Sequence, residues 1–470
     1  MNSIRLLLFF GIVGLVCLGV LFSGRICFAQ NPVPNILLVI VDDMGWGDPG
    51  CYGGIVKTPN IDQLATEGMR FTSAYSGSCV CAPARSALMT GYHTGHTSVR
   101  NNSGGVSLSE SDITLAMMLK PFGYRIGGFG KWGLGDTNSP GVPEKKGFDE
   151  FFGYYHQIHA HNHFPGYLWR NSVLEYQRRG ADGRLPYAPY TVFENTKRFI
   201  QQSVADKVPF FCYCPWTPPH GDFVIPDSDP AVAFYKDKPW SEKIKAFAAM
   251  GTMVDRHFGE LMELLEELNI ADSTIVIFMS DNGAESRHEG TLNSAGPFRG
   301  EKGSLYEGGI RVPFIVKWSH KIAAGTVTDL PVAFYDIPAT LHELIGKPVP
   351  GHGDGISFAP TLLGKSDQQK KHEYLYWEYE LVDWAKLATG RVTIPATRQQ
   401  AIRLANWKGY RKTPDAPIEL YDLAADIGEK NNIAEKHPDV VGKIRNIMIN
   451  GRTEMRPQPE PVRPDGRFFN

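Results

Sequence analysis

Asn35-Ile36-Leu37-Leu38-Val39-Ile40-Val41-Asp42-Asp43 is an aliphatic run, rich in β-branched side chains, that stays apolar until two aspartates end it. A strand with one solvated face alternates polar and apolar residues. An unbroken run therefore predicts a strand buried on both faces, as in a parallel sheet covered by helices. Asp42 and Asp43 fall where that strand leaves the sheet. Loops from successive parallel strands converge at this carboxyl edge, which is where ligand sites open.

Further strands of the same kind follow. Val208 to Cys214 stops before His220, Thr274 to Met279 delivers Asp281, and Arg125 to Phe129 leads into Lys131. Cys212 and Cys214 alternate along their strand and are expected to face one side as packed small residues. Phe71-Thr72-Ser73-Ala74-Tyr75 follows the first helical candidate. Between the strands, Asn60–Gly68, Ile113–Leu119 and Ala246–Leu268 read as helices. The last repeats apolar residues at Met250, Val254, Phe258, Leu261, Leu264, Leu265 and Leu268. The βα alternation predicts a three-layer α/β domain with helices on both faces of the sheet. After Gly364 the polar stretch Lys365 to His372 reads as a domain joint. Beyond it, Glu373–Glu378, Gln400–Leu404 and Pro417–Tyr421 suggest short antiparallel strands, and Pro438–Asn450 a terminal helix. The expected division is 30–364 for the large domain, 365–456 for the small one and 457–470 for a tail. Four prolines and four charged residues within 457–467 predict loose order there.

At the other end, Arg5 precedes an apolar run from Leu6 to Phe22 and an exit at Cys27-Phe28-Ala29. This reads as a signal peptide over 1–29, with a retained membrane anchor as the competing reading. Export to the periplasm or the extracellular space is expected, without stable membrane insertion of the remainder. Oligomeric state is left open. With 48 basic and 50 acidic side chains the net charge is −2, which excludes a global attraction to nucleic acid. Of seven cysteines, Cys17 and Cys27 lie in the leader, leaving Cys51, Cys79, Cys81, Cys212 and Cys214.

Cys81 is followed by Arg85, and a thiolate near a guanidinium would have a lowered pKa and be nucleophilic. The plain alternative is a buried or disulfide-bonded cysteine. The run Cys81-x-Pro83-x-Arg85, continued by Ser86-Ala87-Leu88-Met89-Thr90-Gly91, resembles the signature of type I sulfatases. The likeness continues through Asp42-Asp43, Gly130-Lys131-Trp132, Pro219-His220, Ser280-Asp281-Asn282-Gly283 and Gly300-x-Lys302-x-x-x-Tyr306-Glu307-Gly308-Gly309-Ile310-Arg311-Val312-Pro313. It covers the chain from about residue 34 to 450, and its nearest subgroup is bacterial and arylsulfatase-like.

The resemblance implies an alkaline-phosphatase-like three-layer sandwich with a smaller C-terminal antiparallel sheet domain. It implies that a formylglycine-generating maturation enzyme oxidises Cys81 to an aldehyde, whose hydrate attacks sulfur and later ejects sulfate. It also implies a calcium site of Asp42, Asp43, Asp281, Asn282 and residue 81. Oxygen ligands independently select Ca²⁺ or Mg²⁺ over zinc. Arg85 would support the diol, Lys131 and Lys302 would bind sulfate, and His220 or Lys302 would meet the leaving oxygen. The expected substrate is a sulfated carbohydrate, with aryl sulfates accepted as surrogates. The alternatives are a phosphodiesterase or phosphonate monoester hydrolase of the wider superfamily, and a non-catalytic glycan-binding protein.

One position departs from the pattern. The family commonly has a histidine two residues after the lysine of Gly-Lys-Trp, where it holds the second formylglycine hydroxyl; this chain has Gly133. Activity is lost, another histidine substitutes, or release of sulfate is managed differently. The segment His156-Gln157-Ile158-His159-Ala160-His161-Asn162-His163 is the obvious donor, with His159 or His161 expected to reach residue 81 or the sulfate. Its place before Tyr167-Leu168-Trp169 suggests a loop over the cleft offering a sugar histidine donors and an aromatic platform. A compositional metal tract is the lesser reading.

Overall fold

Strand β1 spans Asn35–Asp42, and every residue from Ile36 to Asp42 is fully buried, the two-faced burial its composition predicts. The computed structural model describes residues 33–103, 105–287, 290–381 and 397–454. The expected signal peptide, 1–29, and the expected tail, 457–470, lie outside these residues.

After β1 come β2 (Met69–Phe71), β3 (Ala74–Tyr75), β4 (Arg125–Lys131), β5 (Glu150–Tyr154), β6 (Tyr167–Arg170) and β7 (Val173–Tyr176). Then follow β8 (Phe210–Pro219), β9 (Thr274–Ser280), β10 (Phe314–Lys317) and β11 (Thr326–Thr328). All but β3 join one sheet, in the order β11-β2-β10-β9-β1-β8-β4-β5-β6-β7. Its centre, β9-β1-β8-β4-β5, is parallel. Antiparallel strands flank it, β10 beside β9 and the hairpin β6-β7 beside β5. The segment Phe71 to Tyr75 divides: β2 stays in the large sheet, while β3 pairs with β12 (Val332–Ala333).

Helices α1 (Pro59–Glu67), α2 (Cys81–Thr90), α3 (Leu115–Leu119), α4 (Ala188–Ala205) and α5 (Glu242–Glu267) follow from local chemistry. The α3 helix starts two residues later than expected because the Thr114 side chain accepts from the Met117 amide and caps it. Leu37, Val39 and Val41 of β1, with Cys212 and Cys214 of β8, share one core with Phe193 and Phe199 of α4 and Val254 and Phe258 of α5. The alternate residues Ile36, Leu38 and Ile40 are buried on the opposite side. There α2 packs against α3 and the helix Ile337–Leu344.

A second sheet of β13 (Leu375–Glu380), β14 (Arg398–Leu404), β15 (Trp407–Arg411) and β16 (Glu419–Asp422) is antiparallel throughout. The terminal helix Pro438–Asn450 lays Val440, Ile444 and Met448 on Tyr376, Ile402 and Leu420 of one face. The other face, through Trp377, Tyr379 and Ala401, packs on Tyr75, Cys79 and Val80. The two residues before Cys81 are thus clamped by the small sheet, and the Trp377 indole donates to the Ser76 carbonyl at 2.8 Å.

The segment Lys365 to His372 carries an ion pair with a pH signature. His372 Nε2 lies 2.7 Å from Asp336 Oδ1, and Asp336 also accepts from the Ala333 and Ile356 amides. Burial opposes protonation of His372, but the Asp336 carboxylate outweighs it and holds the imidazole above the ordinary value of 6.5. A group whose folded pKa is raised stabilises fully below its unfolded value and loses that contribution as pH rises through the folded one. His372→Gln is expected to cost about 2 kcal/mol at low pH, the worth of a charge-assisted hydrogen bond. The cost should shrink above neutrality. Thermal melts giving the same wild-type-to-variant gap at every pH would rule out this coupling.

Candidate active site

Four neighbouring parallel strands end at one edge and release their polar residues together. Asp281 and Asn282 follow β9, Asp42 and Asp43 close β1, His220 follows β8 and Lys131 closes β4. The β1/β8 register slips between Val41 and Asp42, so Asp42 pairs with Pro219, next to His220. Asp43 turns the chain sharply at φ 65°, a conformation aspartate tolerates better than most residues.

Cys81 is the first residue of α2, and Arg85 follows one turn later. Lys302 comes from the turn Gly300–Gly303, whose two glycines have φ of 77° and 89°. Its ends are pinned by Lys302 N to Ala284 O and Gly303 N to Cys79 O, both at 2.9 Å.

Around Cys81 the charged groups interlock. The Cys81 thiol donates to Asp42 Oδ1 at 3.3 Å, and Lys302 Nζ lies 3.6 Å from the sulfur. Lys131 Nζ donates to Asp42 Oδ2 at 2.6 Å, and Lys302 Nζ to both oxygens of Asp43 at 2.6 Å. Arg85 gives Nε and Nη2 to Asp281 Oδ2 at 3.2 and 2.8 Å, and Nη1 to the Lys131 carbonyl at 2.7 Å. His220 Nδ1 lies 2.5 Å from Asp43 Oδ2.

The thiol differs from expectation. Arg85 is engaged by Asp281 and a carbonyl, and the nearest charge to the sulfur is the Asp42 carboxylate. Burial and that carboxylate push Cys81 well above the ordinary thiol value instead of below it. These surroundings favour the thiol of plain Cys81 over its thiolate.

The donor set fits a hard cation. One ligand atom each from Asp42, Asp43, Asp281 and Cys81 lie within 4.8 Å of one another. Asn282 donates its amide nitrogen to Asp43 Oδ1 at 2.8 Å, while its buried Oδ1 has no hydrogen-bond partner. Burial and the Asp42 charge push Asp281 up to about 6 in spite of the Arg85 guanidinium. Asp42 is held well below the carboxylate range: burial opposes its ionisation, but Lys131, His220, Arg85 and Lys302 prevail. Three carboxylates facing Arg85, Lys131 and Lys302 are neutral together, so a divalent ion would leave the pocket with net charge +2, suited to an anion.

The histidine segment lies against this site in part. His161 Nε2 is 3.1 Å from His220 Nε2, and burial together with the His220, Lys131 and Lys302 charges lowers it to about 2. His159 instead sets its ring against Tyr154 and Tyr167. The expected aromatic platform is spent on packing: Tyr167 and Trp169 belong to β6, Tyr167 is buried, and Trp169 stacks on Tyr155 at 4.9 Å.

Glu285 escaped the sequence reading. It is buried with its Oε2 3.8 Å from His220 Nδ1 and 2.6 Å from Arg287, whose guanidinium covers the Phe223 ring. Its position three residues after Asn282 was the available signal. Burial opposes protonation of His220, yet the Asp43 carboxylate holds it above the ordinary histidine value.

Comparisons with known proteins agree with this arrangement. The sulfatase family model matches residues 34–347, and one for the C-terminal part of N-sulphoglucosamine sulphohydrolase matches 299–454. Human N-acetylgalactosamine-6-sulfatase is 33% identical over 91% of this chain and 87% of its own length. The N-acetylgalactosamine-6-O-sulfatase of Bacteroides thetaiotaomicron is 28% identical, over 89% of this chain and 93% of its own. The crystal structure of Ps i-CgsB in complex with k-i-k-neocarrahexaose superposes with a TM-score of 0.77 at 26% identity, covering 90% of this chain and 94% of that one. Strand ends, the cation-fitted pocket and full-length similarity converge on one assignment: the chain belongs to the sulfatase family and is a sulfuric ester hydrolase.

Proposed function

We propose that the protein is an exported, formylglycine- and calcium-dependent sulfatase acting on a sulfated carbohydrate, with aryl sulfates as surrogates. The observation that carries this reading is the convergence of three carboxylates, three cations and His220 on a buried Cys81 at the start of a helix. Relatives named for N-acetylgalactosamine 6-sulfate and a neighbour solved with a neocarrahexaose support a sugar substrate. In this reading a maturation enzyme oxidises Cys81. Asp42, Asp43, Asp281, Asn282 and residue 81 hold Ca²⁺. When present, the ion and the aldehyde hydrate supply charge for a sulfate oxygen and an oxygen nucleophile.

The remaining roles belong to the chain's own side chains. Lys131 and Lys302 bring two ammonium groups to the pocket floor and take sulfate oxygens. Arg85, fixed by Asp281 and the Lys131 carbonyl, orients residue 81 rather than contacting solvent. His220 Nδ1 is anchored on Asp43, which leaves Nε2, now beside His161, to meet the bridging oxygen as it gains charge.

The test is a panel of defined sulfated sugars, an aryl sulfate and a phosphonate monoester, given to matured protein. At least one sugar sulfate is expected to show kcat/KM about tenfold or more above the aryl sulfate. That margin needs only about 1.4 kcal/mol of sugar recognition. Turnover of the aryl sulfate with every sugar untouched would reject the carbohydrate substrate, and preference for the phosphonate would favour the superfamily alternative.

A further inference from the structure

We infer that Gln157 is a positioning residue of the sulfatase reaction, whose side-chain amide holds a hydroxyl group at the sulfate pocket. The inference rests on the function proposed above and names a group that the Cys81 and metal motifs do not include.

Gly133 lies two residues beyond Lys131 with φ +74°, and a Cβ there would sit 3.1 Å from Gln157 Cγ and 4.0 Å from its Nε2. The Gln157 side chain therefore occupies the space that a side chain at position 133 would need. It is only 5% exposed, and both Oε1 and Nε2 are buried without a hydrogen-bond partner. Buried amides are nearly always bonded, so an amide orphaned at both ends points to a small polar partner at this place.

The segment carrying Gln157 bridges the two flanks of the pocket. On one side the Trp132 and Gly133 amides donate to the Tyr154 and Tyr155 carbonyls at 2.8 and 3.0 Å. On the other, His161 touches His220, and its carbonyl accepts from the Asp222 amide at 3.0 Å. Gln157 is thus held between the residues following Lys131 and those following His220.

The chemistry of the missing partner follows from the amide itself. Nε2 needs an acceptor and Oε1 needs a donor. Sulfate oxygens only accept, so they satisfy one end. A hydroxyl satisfies both. Two hydroxyls come to this pocket: one on the hydrated residue 81, the other on the sugar beside its ester.

Gln157→Met and Gln157→Leu remove the amide while keeping most of the volume. Their melting temperatures should match or exceed wild type, because an unpaired buried polar group is lost. Their kcat/KM should fall about 100-fold, the scale of removing one preorganised hydrogen-bond donor. A purely space-filling glutamine predicts the reverse, unchanged turnover with stability following packing. Gln157→Glu, equal in shape but unable to donate when ionised, is the second variant should either apolar form fail to fold, and should show the same loss. Loss on an aryl sulfate and on sugar sulfates alike assigns the hydroxyl to residue 81; loss confined to sugars assigns it to the substrate. Active wild type with folded variants at wild-type kcat/KM on both would overturn the role of Gln157 alone. Wild type without sulfatase activity on any substrate would overturn the parent reading as well.

Discussion

Replacing Cys81 with alanine is expected to cut sulfate release by at least about 10⁴-fold, the scale of losing an enzyme's nucleophile. Protein made without the maturation enzyme should be equally inactive, and this second half is the sharper one. The unmodified thiol is buried, donates to Asp42 and is pushed away from ionisation by that carboxylate. Its immediate surroundings therefore oppose thiolate chemistry, and the nucleophile has to be made from Cys81 rather than found in it. Carbonyl-specific labelling of residue 81 should rise in step with activity across preparations of different maturation. Cys79, buried in the core beneath the small sheet, is the control. Cys79→Ala should keep activity within a few-fold and lose about 1 kcal/mol of stability for a small cavity. Full turnover by protein bearing only plain cysteine at 81 would defeat the assignment.

The sheet and most of the site are legible in the chain because their signals are local. An aliphatic run ending in Asp42-Asp43 states both the burial of a strand and the place where it stops. The same holds for Thr274–Met279 before Asp281 and for the strand before His220. The α4 helix is obscured for a physical reason. Its buried face carries Asn195, Thr196 and Ser203, whose side chains bond back to the carbonyls of Thr191, Val192 and Phe199, so polar residues sit where an apolar stripe is sought. The β6-β7 hairpin and β15 pair with neighbours close in sequence, but they are too short for a two-residue alternation to stand out.

Charge partners are the least legible feature. Arg85 is near Cys81 in sequence, but the helix carries its guanidinium to Asp281, 196 residues away, and so reverses the expected effect on the thiol. The histidine segment likewise offers four imidazoles with no local rule for choosing among them. Packing of β5 against β6 gives His159 to the tyrosines and His161 to His220.

Asp281→Ala is expected to abolish the stabilisation of the protein by calcium and to destabilise the fold even when calcium is absent. Asp281 is fully buried, takes two hydrogen bonds from Arg85 on one oxygen and the Asp43 amide on the other at 3.2 Å. Removing it leaves the buried Arg85 guanidinium with only the Lys131 carbonyl and the Asp42 carboxylate at 3.5 Å, and breaking such a buried pair costs about 3 kcal/mol. Wild type should gain about 2.7 kcal/mol from Ca²⁺ at 100 times its Kd, simply because the folded state binds and the unfolded state does not. Asp281→Asn separates the two effects, since it preserves the shape and an acceptor for Arg85 but removes the charge. It should recover much of the calcium-free stability and little of the calcium-dependent gain. Melts with and without a chelator read both quantities. A calcium-induced shift of wild-type size in Asp281→Ala would place the ion elsewhere, and an unchanged calcium-free melt would mean that Arg85 finds another partner. The separation matters because the same carboxylate holds Arg85 in place and offers one of the oxygens grouped around Cys81 where the ion is proposed to bind.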